Sequence, residues 1–216
     1  MCCGLLGKSR TMASTMEFKE IVFPGEETKF IAPTWNDLQE LAFIVATEIR
    51  KDGKKFDRIV TLAKGGWPMT RSLVDFLEVG QVASIGVKFY QGINRRLNRP
   101  EIYQDLPIEL KGEKVLLFDD VADTGESLEF TTEYLKGRHG EAEVTTAALF
   151  YKPHSLYQPE YYGAKTSAWI IFPYDMVESF HVLGKKWRDK GLSDRECRER
   201  FGELGFQKRY IDYYFT

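Results

Sequence analysis

Between residues 57 and 172 the chain alternates short apolar runs with stretches of helical period, and this alternation limits its fold more than any other feature. Residues 57–63, 82–90, 115–119, 144–151 and 168–172 have the length and apolar content of strands, whereas 68–78 and 126–136 read as helices. Upstream, Thr34 caps a helix over 35–51 whose Leu38, Leu41, Ala42, Val45 and Ile49 share one face, and Asp52-Gly53 stops it. Strands alternating with helices predict an α/β fold with a mostly parallel central sheet flanked by helices. The segment 91–107 carries Arg95, Arg96 and Arg99 without a clear period and reads as a long loop. After Asp175 the pattern turns helical, with Ser193 and Glu196 spaced as a capping box.

Composition removes several classes of function. A formal net charge of −2 gives no electrostatic reason to expect nucleic acid or an anionic membrane as partner. No apolar run approaches the roughly 20 residues needed to span a bilayer. Cys2, Cys3 and Cys197 form no CxxC pair, so neither structural zinc nor a disulfide framework is indicated, and a cytoplasmic setting is expected. Gly4-Leu5-Leu6-Gly7-Lys8-Ser9 lacks the four-residue spacing of a Walker A loop, and residues 1–15 are expected to be a disordered leader.

Chemistry concentrates where the third apolar run ends. Val115-Leu116-Leu117-Phe118 leads into the adjacent carboxylates Asp119 and Asp120, then into Asp123-Thr124-Gly125-Glu126-Ser127 and a helix. Open α/β sheets bind ligands at the carboxyl ends of their strands. Backbone amides at a small-residue loop, with the positive end of a helix, suit a phosphate. A carboxylate pair suits sugar hydroxyls or a divalent cation. Together they predict a site for a phosphorylated ribose.

This stretch resembles the 5-phosphoribosyl 1-pyrophosphate (PRPP) motif of the type I phosphoribosyltransferases: an apolar strand, two acidic residues, two variable residues and Asp-Thr-Gly-x-Ser/Thr. The resemblance implies that Asp119 and Asp120 hold the ribose hydroxyls, directly or through Mg²⁺. It implies that Asp123, Thr124, Gly125, Glu126 and Ser127 hold the 5-phosphate, with the Glu126 side chain turned away and its amide binding. It also places Lys64 and Gly65, after the first strand, on the pyrophosphate, with a cis peptide between Ala63 and Lys64. Tyr151-Lys152-Pro153 and the run from Trp169 to Asp175 resemble the base-recognition elements of 6-oxopurine phosphoribosyltransferases, most closely the xanthine-guanine type. By that resemblance Lys152 donates to the purine O6, Trp169 stacks on the ring, and the carbonyls of Ile170 and Asp175 face the 2-position.

The implied activity is transfer of phosphoribose from PRPP to N9 of hypoxanthine, guanine or xanthine, with Mg²⁺ as cofactor and Asp123 exchanging a proton with N7. The loop carrying Arg95, Arg96 and Arg99 would be a flap over the phosphates. The family also implies a homo-oligomer, dimer or tetramer. A phosphoribosyltransferase domain is expected over 16–175, with 176–216 a mainly helical extension packed on it. The alternatives are a PRPP-sensing regulator of the same fold with little catalysis, or a transferase for another base.

Overall fold

The computed structural model describes residues 15–89, 100–140 and 142–215. In chain order its elements are β1 (Ile21–Val22), β2 (Lys29–Ile31), α1 (Trp35–Lys51), β3 (Arg58–Ala63), α2 (Trp67–Leu77), β4 (Gln81–Phe89), β5 (Pro100–Gln104), β6 (Lys114–Ala122), α3 (Glu126–Arg138), β7 (Glu143–Tyr151), β8 (Tyr161–Lys165), β9 (Trp169–Ile170), α4 (Met176–Asp189), α5 (Asp194–Glu203) and α6 (Lys208–Tyr214). The chain divides into two compact units, one built on Gln39–Thr166 and the other on Glu17–Leu38 with Ser167–Thr216.

The first unit is a six-stranded sheet in the order β5-β4-β3-β6-β7-β8. The five strands from β4 to β8 along this order are mutually parallel, and β5 runs antiparallel on the β4 edge. Val115 to Phe118 of β6 and Ala147 to Phe150 of β7 are fully buried, as expected of parallel strands covered on both faces. From β3 the chain crosses to β4 on one side and later to β6 on the other. The carboxyl ends of β3 and β6 therefore lie side by side where the winding reverses, the usual ligand position in such sheets.

Local signals fix the helices. Thr34 and Asp37 cap α1 reciprocally, Thr34 N donating to Asp37 Oδ2 at 2.7 Å and Asp37 N to Thr34 Oγ1 at 3.2 Å. All five residues of its predicted apolar face are fully buried. Gly53, at φ +68°, ends the helix in the left-handed conformation that favours glycine.

The second unit has its own core. β1 and β2 form an antiparallel pair, and β9 adds in parallel to β2, with Phe30 opposite Trp169 and Ile31 opposite Ile170. Phe23 and Phe30 pack with Phe180, Trp187, Phe201 and Phe215 from the C-terminal helices. The division thus falls elsewhere than at 175/176: residues of the extension share one buried core with residues of 17–38 and 167–175.

Three details differ from the sequence reading. β9 is two residues long and belongs to the small sheet, while the strand beyond β7 is β8, whose Tyr-Tyr-Gly-Ala-Lys has no strand alternation. Part of the expected loop 91–107 is β5, paired on β4. β6 runs on through both carboxylates to Ala122, because β7 continues to pair with it as far as Tyr151. The arginines of the expected flap and the expected leader up to residue 14 lie outside the described residues. Among those described, no helix is long and apolar enough to cross a membrane.

Candidate active site

The loop after β6 is the densest part of the site. Asp119 and Asp120 are consecutive near the end of β6, their carboxyls close enough to interact. Asp120 is buried, and its backbone N–H donates to Asp119 Oδ1 at 2.9 Å. Burial, reinforced by the charge of Asp120, raises the Asp119 carboxyl well above the usual range. Asp123 and Thr124 are exposed at the turn, and Gly125 follows at φ +85°. Gly125 is the residue before α3, and no side chain caps that helix. With no side chain at the cap, the first-turn amides of α3 beyond Glu126 face the loop, the arrangement that receives anions. Thr124 Oγ1 donates to Glu126 Oε2 at 3.3 Å and accepts from the Glu126 amide at 3.4 Å.

The loop after β3 meets this one through a glycine. The Ala63–Lys64 peptide is cis. A Cβ placed on Gly65 would lie 2.5 to 2.6 Å from the three carboxylate atoms of Asp120, so only glycine lets this backbone pass the acidic pair. Lys64 is exposed at the same turn, and Trp67 N closes it by donating to Lys64 O at 3.2 Å.

A third loop, after β7, lies against the first. Lys152 N donates to Ala122 O at 3.0 Å and Leu156 N to Thr124 O at 2.9 Å. Lys152 is buried, which pushes its ammonium below the usual lysine range, while the charge of Asp123 opposes the shift. His154 Nε2 stands 2.9 Å from Asp123 Oδ1. Sequence reasoning passed over His154. Its signal was its place two residues after Lys152 in Lys-Pro-His-Ser, at the carboxyl end of a parallel strand.

The structure thus brings Lys64, Gly65, Asp119, Asp120, Asp123, Thr124, Gly125, Glu126, Ser127 and Lys152 to the carboxyl ends of three adjacent strands of the first unit. The remaining expected residues belong to the second unit. Trp169 is 46 % exposed on β9, so much of its indole is open to solvent. Ile171 N, next along the chain, donates to Ile31 O at 2.8 Å and holds this strand on β2. Asp175 precedes α4; its carbonyl accepts from Ser179 N at 2.9 Å, leaving one lone pair, and burial raises its carboxyl, with Glu178 adding to the effect.

Comparison with known proteins agrees with this layout. The phosphoribosyl transferase domain matches residues 31–179. A xanthine-guanine phosphoribosyltransferase of Gluconobacter oxydans is 24% identical over 149 residues, 68% of this chain and 85% of that protein. One from Nitratidesulfovibrio vulgaris is 25% identical over 156 residues, 71% of this chain and 90% of its own length. The crystal structure of a purine phosphoribosyltransferase from Pyrococcus horikoshii superposes with a TM-score of 0.61 and 34% identity, covering 67% of this chain and 93% of that one. With the matched domain spanning all three strand-end loops, the chain belongs to the phosphoribosyl transferase domain family.

Proposed function

We propose that this protein transfers the 5-phosphoribosyl group of PRPP to N9 of a 6-oxopurine, giving the nucleoside monophosphate and pyrophosphate in purine salvage. The observation that carries the reading is the junction of two loops: the Asp119–Asp120 pair and the uncapped start of α3 on one, and Gly65 pressed against Asp120 on the other. A phosphate, a ribose and a pyrophosphate each find a complementary surface there. The relatives named as purine and xanthine-guanine phosphoribosyltransferases support the choice of acceptor.

The roles follow from the chemistry of each group. The amides of Thr124 to Ser127 bind the 5-phosphate, and Lys64 with the amide of Gly65 binds pyrophosphate. The bond from ribose C1 to the pyrophosphate oxygen breaks, its electron pair leaving with pyrophosphate, and the N9 lone pair bonds to C1. Asp119 and Asp120 place negative potential beside the electron-poor sugar. Asp123 takes the proton released from N7. Lys152 donates to the purine O6, which favours a carbonyl over the amino group of adenine. Trp169 offers a stacking face, and the carbonyls of Ile170 and Asp175 accept from a 2-amino group.

Asp119 and Asp120 also fit a hard divalent cation, because a positive charge would relieve two neighbouring carboxylates, one of which burial and repulsion push above the usual range. Among the described residues no cluster of three His, Cys, Asp or Glu side chains surrounds a metal position, so substrate oxygens and water would complete the shell. Bound with PRPP, Mg²⁺ would supply charge neutralisation to the leaving pyrophosphate. A cytoplasmic homo-oligomer, dimer or tetramer, accords with this reading.

The test is PRPP-dependent pyrophosphate release with hypoxanthine, guanine, xanthine, adenine and uracil in parallel. Turnover is expected with the three 6-oxopurines. Tight PRPP binding with no turnover of any base would overturn the enzyme reading in favour of a PRPP sensor.

A further inference from the structure

His154 faces Asp123 because two loops of the first unit are stitched together on either side of the pair. Lys152 N donates to Ala122 O and Leu156 N to Thr124 O, one bond before and one after the contact. Between them Gly125 has no room for a side chain: a Cβ there would lie 2.5 Å from Ser155 Oγ and 2.7 Å from Tyr157 N. Ser155 Oγ in turn donates to Tyr157 O at 2.9 Å and holds the turn. The imidazole is thus delivered to Asp123 by backbone geometry. Since a carboxylate only accepts, the 2.9 Å contact puts a proton on Nε2.

As an ion pair this contact contributes little to stability, because both side chains are about 60% exposed and solvent screens them. Its effect is one of orientation. An exposed aspartate otherwise samples several rotamers, and proton transfer demands one of them. We propose that His154 is a positioning residue for Asp123, tethering Oδ1 so that Oδ2 is presented to the N7 proton of the purine. The proposal rests on the transferase reading above. It adds to that reading a residue outside the PRPP motif, on the loop that also carries Lys152.

The experiment compares His154→Ala, His154→Gln and Asp123→Asn, singly and with His154→Ala combined with Asp123→Asn, in steady-state turnover of a 6-oxopurine. PRPP binding is measured on each by calorimetry. His154→Ala is expected to lower kcat about tenfold or more, part of the about 10²–10⁴ that acid–base assistance supplies, with the KM for PRPP within about twofold of wild type. His154→Gln, whose amide N–H reaches the same place, restores most of the rate. In the Asp123→Asn background, removing His154 has no further effect, because the two act as one unit. Unchanged kcat in His154→Ala overturns the proposal, as does a full additional loss in the Asp123→Asn background. A raised KM for PRPP at unchanged kcat also overturns it, placing His154 in the phosphate loop's support instead. Absence of turnover in the wild type would overturn the transferase reading and this role together, a result distinct from an active enzyme indifferent to His154.

Discussion

Gly65 has no side chain, and the carboxylate of Asp120 occupies the place where one would be. That carboxylate is buried, so it cannot swing into solvent to make room. Gly65→Ala must shift either the acidic pair or the turn at Lys64, and overpacking of this kind costs about 1–3 kcal/mol. Because the strain falls on groups proposed to bind PRPP, kcat/KM for PRPP is expected to fall by about one to two orders of magnitude with the fold intact. Thermal denaturation beside a PRPP titration checks this; wild-type affinity in the variant would detach Gly65 from the site. Asp123 makes the opposite kind of prediction. Exposed, and proposed to face the base, it should be dispensable for PRPP binding. Asp123→Asn is expected to keep PRPP affinity within about threefold while turnover falls by about 10²–10⁴. Calorimetry and single-turnover kinetics separate the two quantities, and an equally active variant would contradict the N7 role.

Among the elements, those legible in the sequence are the ones whose signals are local. α1 runs over the residues its apolar face and Thr34 cap indicate, and α5 begins at the Ser193–Glu196 capping box. The segment from Val115 to Ser127 is legible because an apolar run, two carboxylates and Gly125 each constrain the backbone within a few residues. β5 and β8 were missed because a partner strand, not their own pattern, decides them. Pro100–Gln104 is largely exposed and exists as a strand by pairing with β4, and Tyr161–Lys165 by pairing with β7. His154 was passed over for a similar reason: its place after Lys152 gains meaning only from Asp123, 31 residues away. Lys152 carries the prediction at this scale. β7 leaves it buried, so its ammonium deprotonates below the range of an ordinary lysine, about 10.4. The charged form, the stronger donor in the contact proposed to O6, is lost as pH rises through that lowered value. kcat/KM for hypoxanthine should therefore fall on an alkaline limb that Lys152→Arg, charged throughout, moves upward or abolishes. Identical limbs in both proteins would remove Lys152 from base recognition.

The molecule as a whole is held by two separate cores, and the second depends on residues far apart in sequence. Glu26 shows how. Its side chain is 1% exposed, and it meets Lys190 at 2.9 Å, Arg200 at 3.3 Å and Lys186 at 3.5 Å. No local pattern announces a partner more than 150 residues away, which is why 176–216 reads as an appendage in the sequence and is half of a unit in the structure. Burial alone would raise the Glu26 carboxyl. The Lys190 hydrogen bond and the charges of Lys186 and Lys190 outweigh it and hold the pKa below the usual glutamate range. With the folded value depressed, the stabilisation is fully present above the unfolded pKa of about 4.3 and is lost as pH falls through the folded value. Glu26→Gln leaves the cations facing an uncharged amide. Breaking a buried pair costs about 3–5 kcal/mol, and solvent access of the two lysines places this case near the lower figure. Urea unfolding followed by the fluorescence of Trp187, fully buried in this core, should show that loss at pH 7, shrinking toward zero as pH drops below 4.3. The functional cost should fall on one substrate. The loops proposed to bind PRPP are built on the first unit, whereas Trp169 hangs on β2 in the second. Glu26→Gln is therefore expected to raise the KM for the purine while leaving PRPP affinity unchanged. Equal weakening of both substrates, or a stability loss that persists unchanged into acid, would contradict the separate role given to the second core.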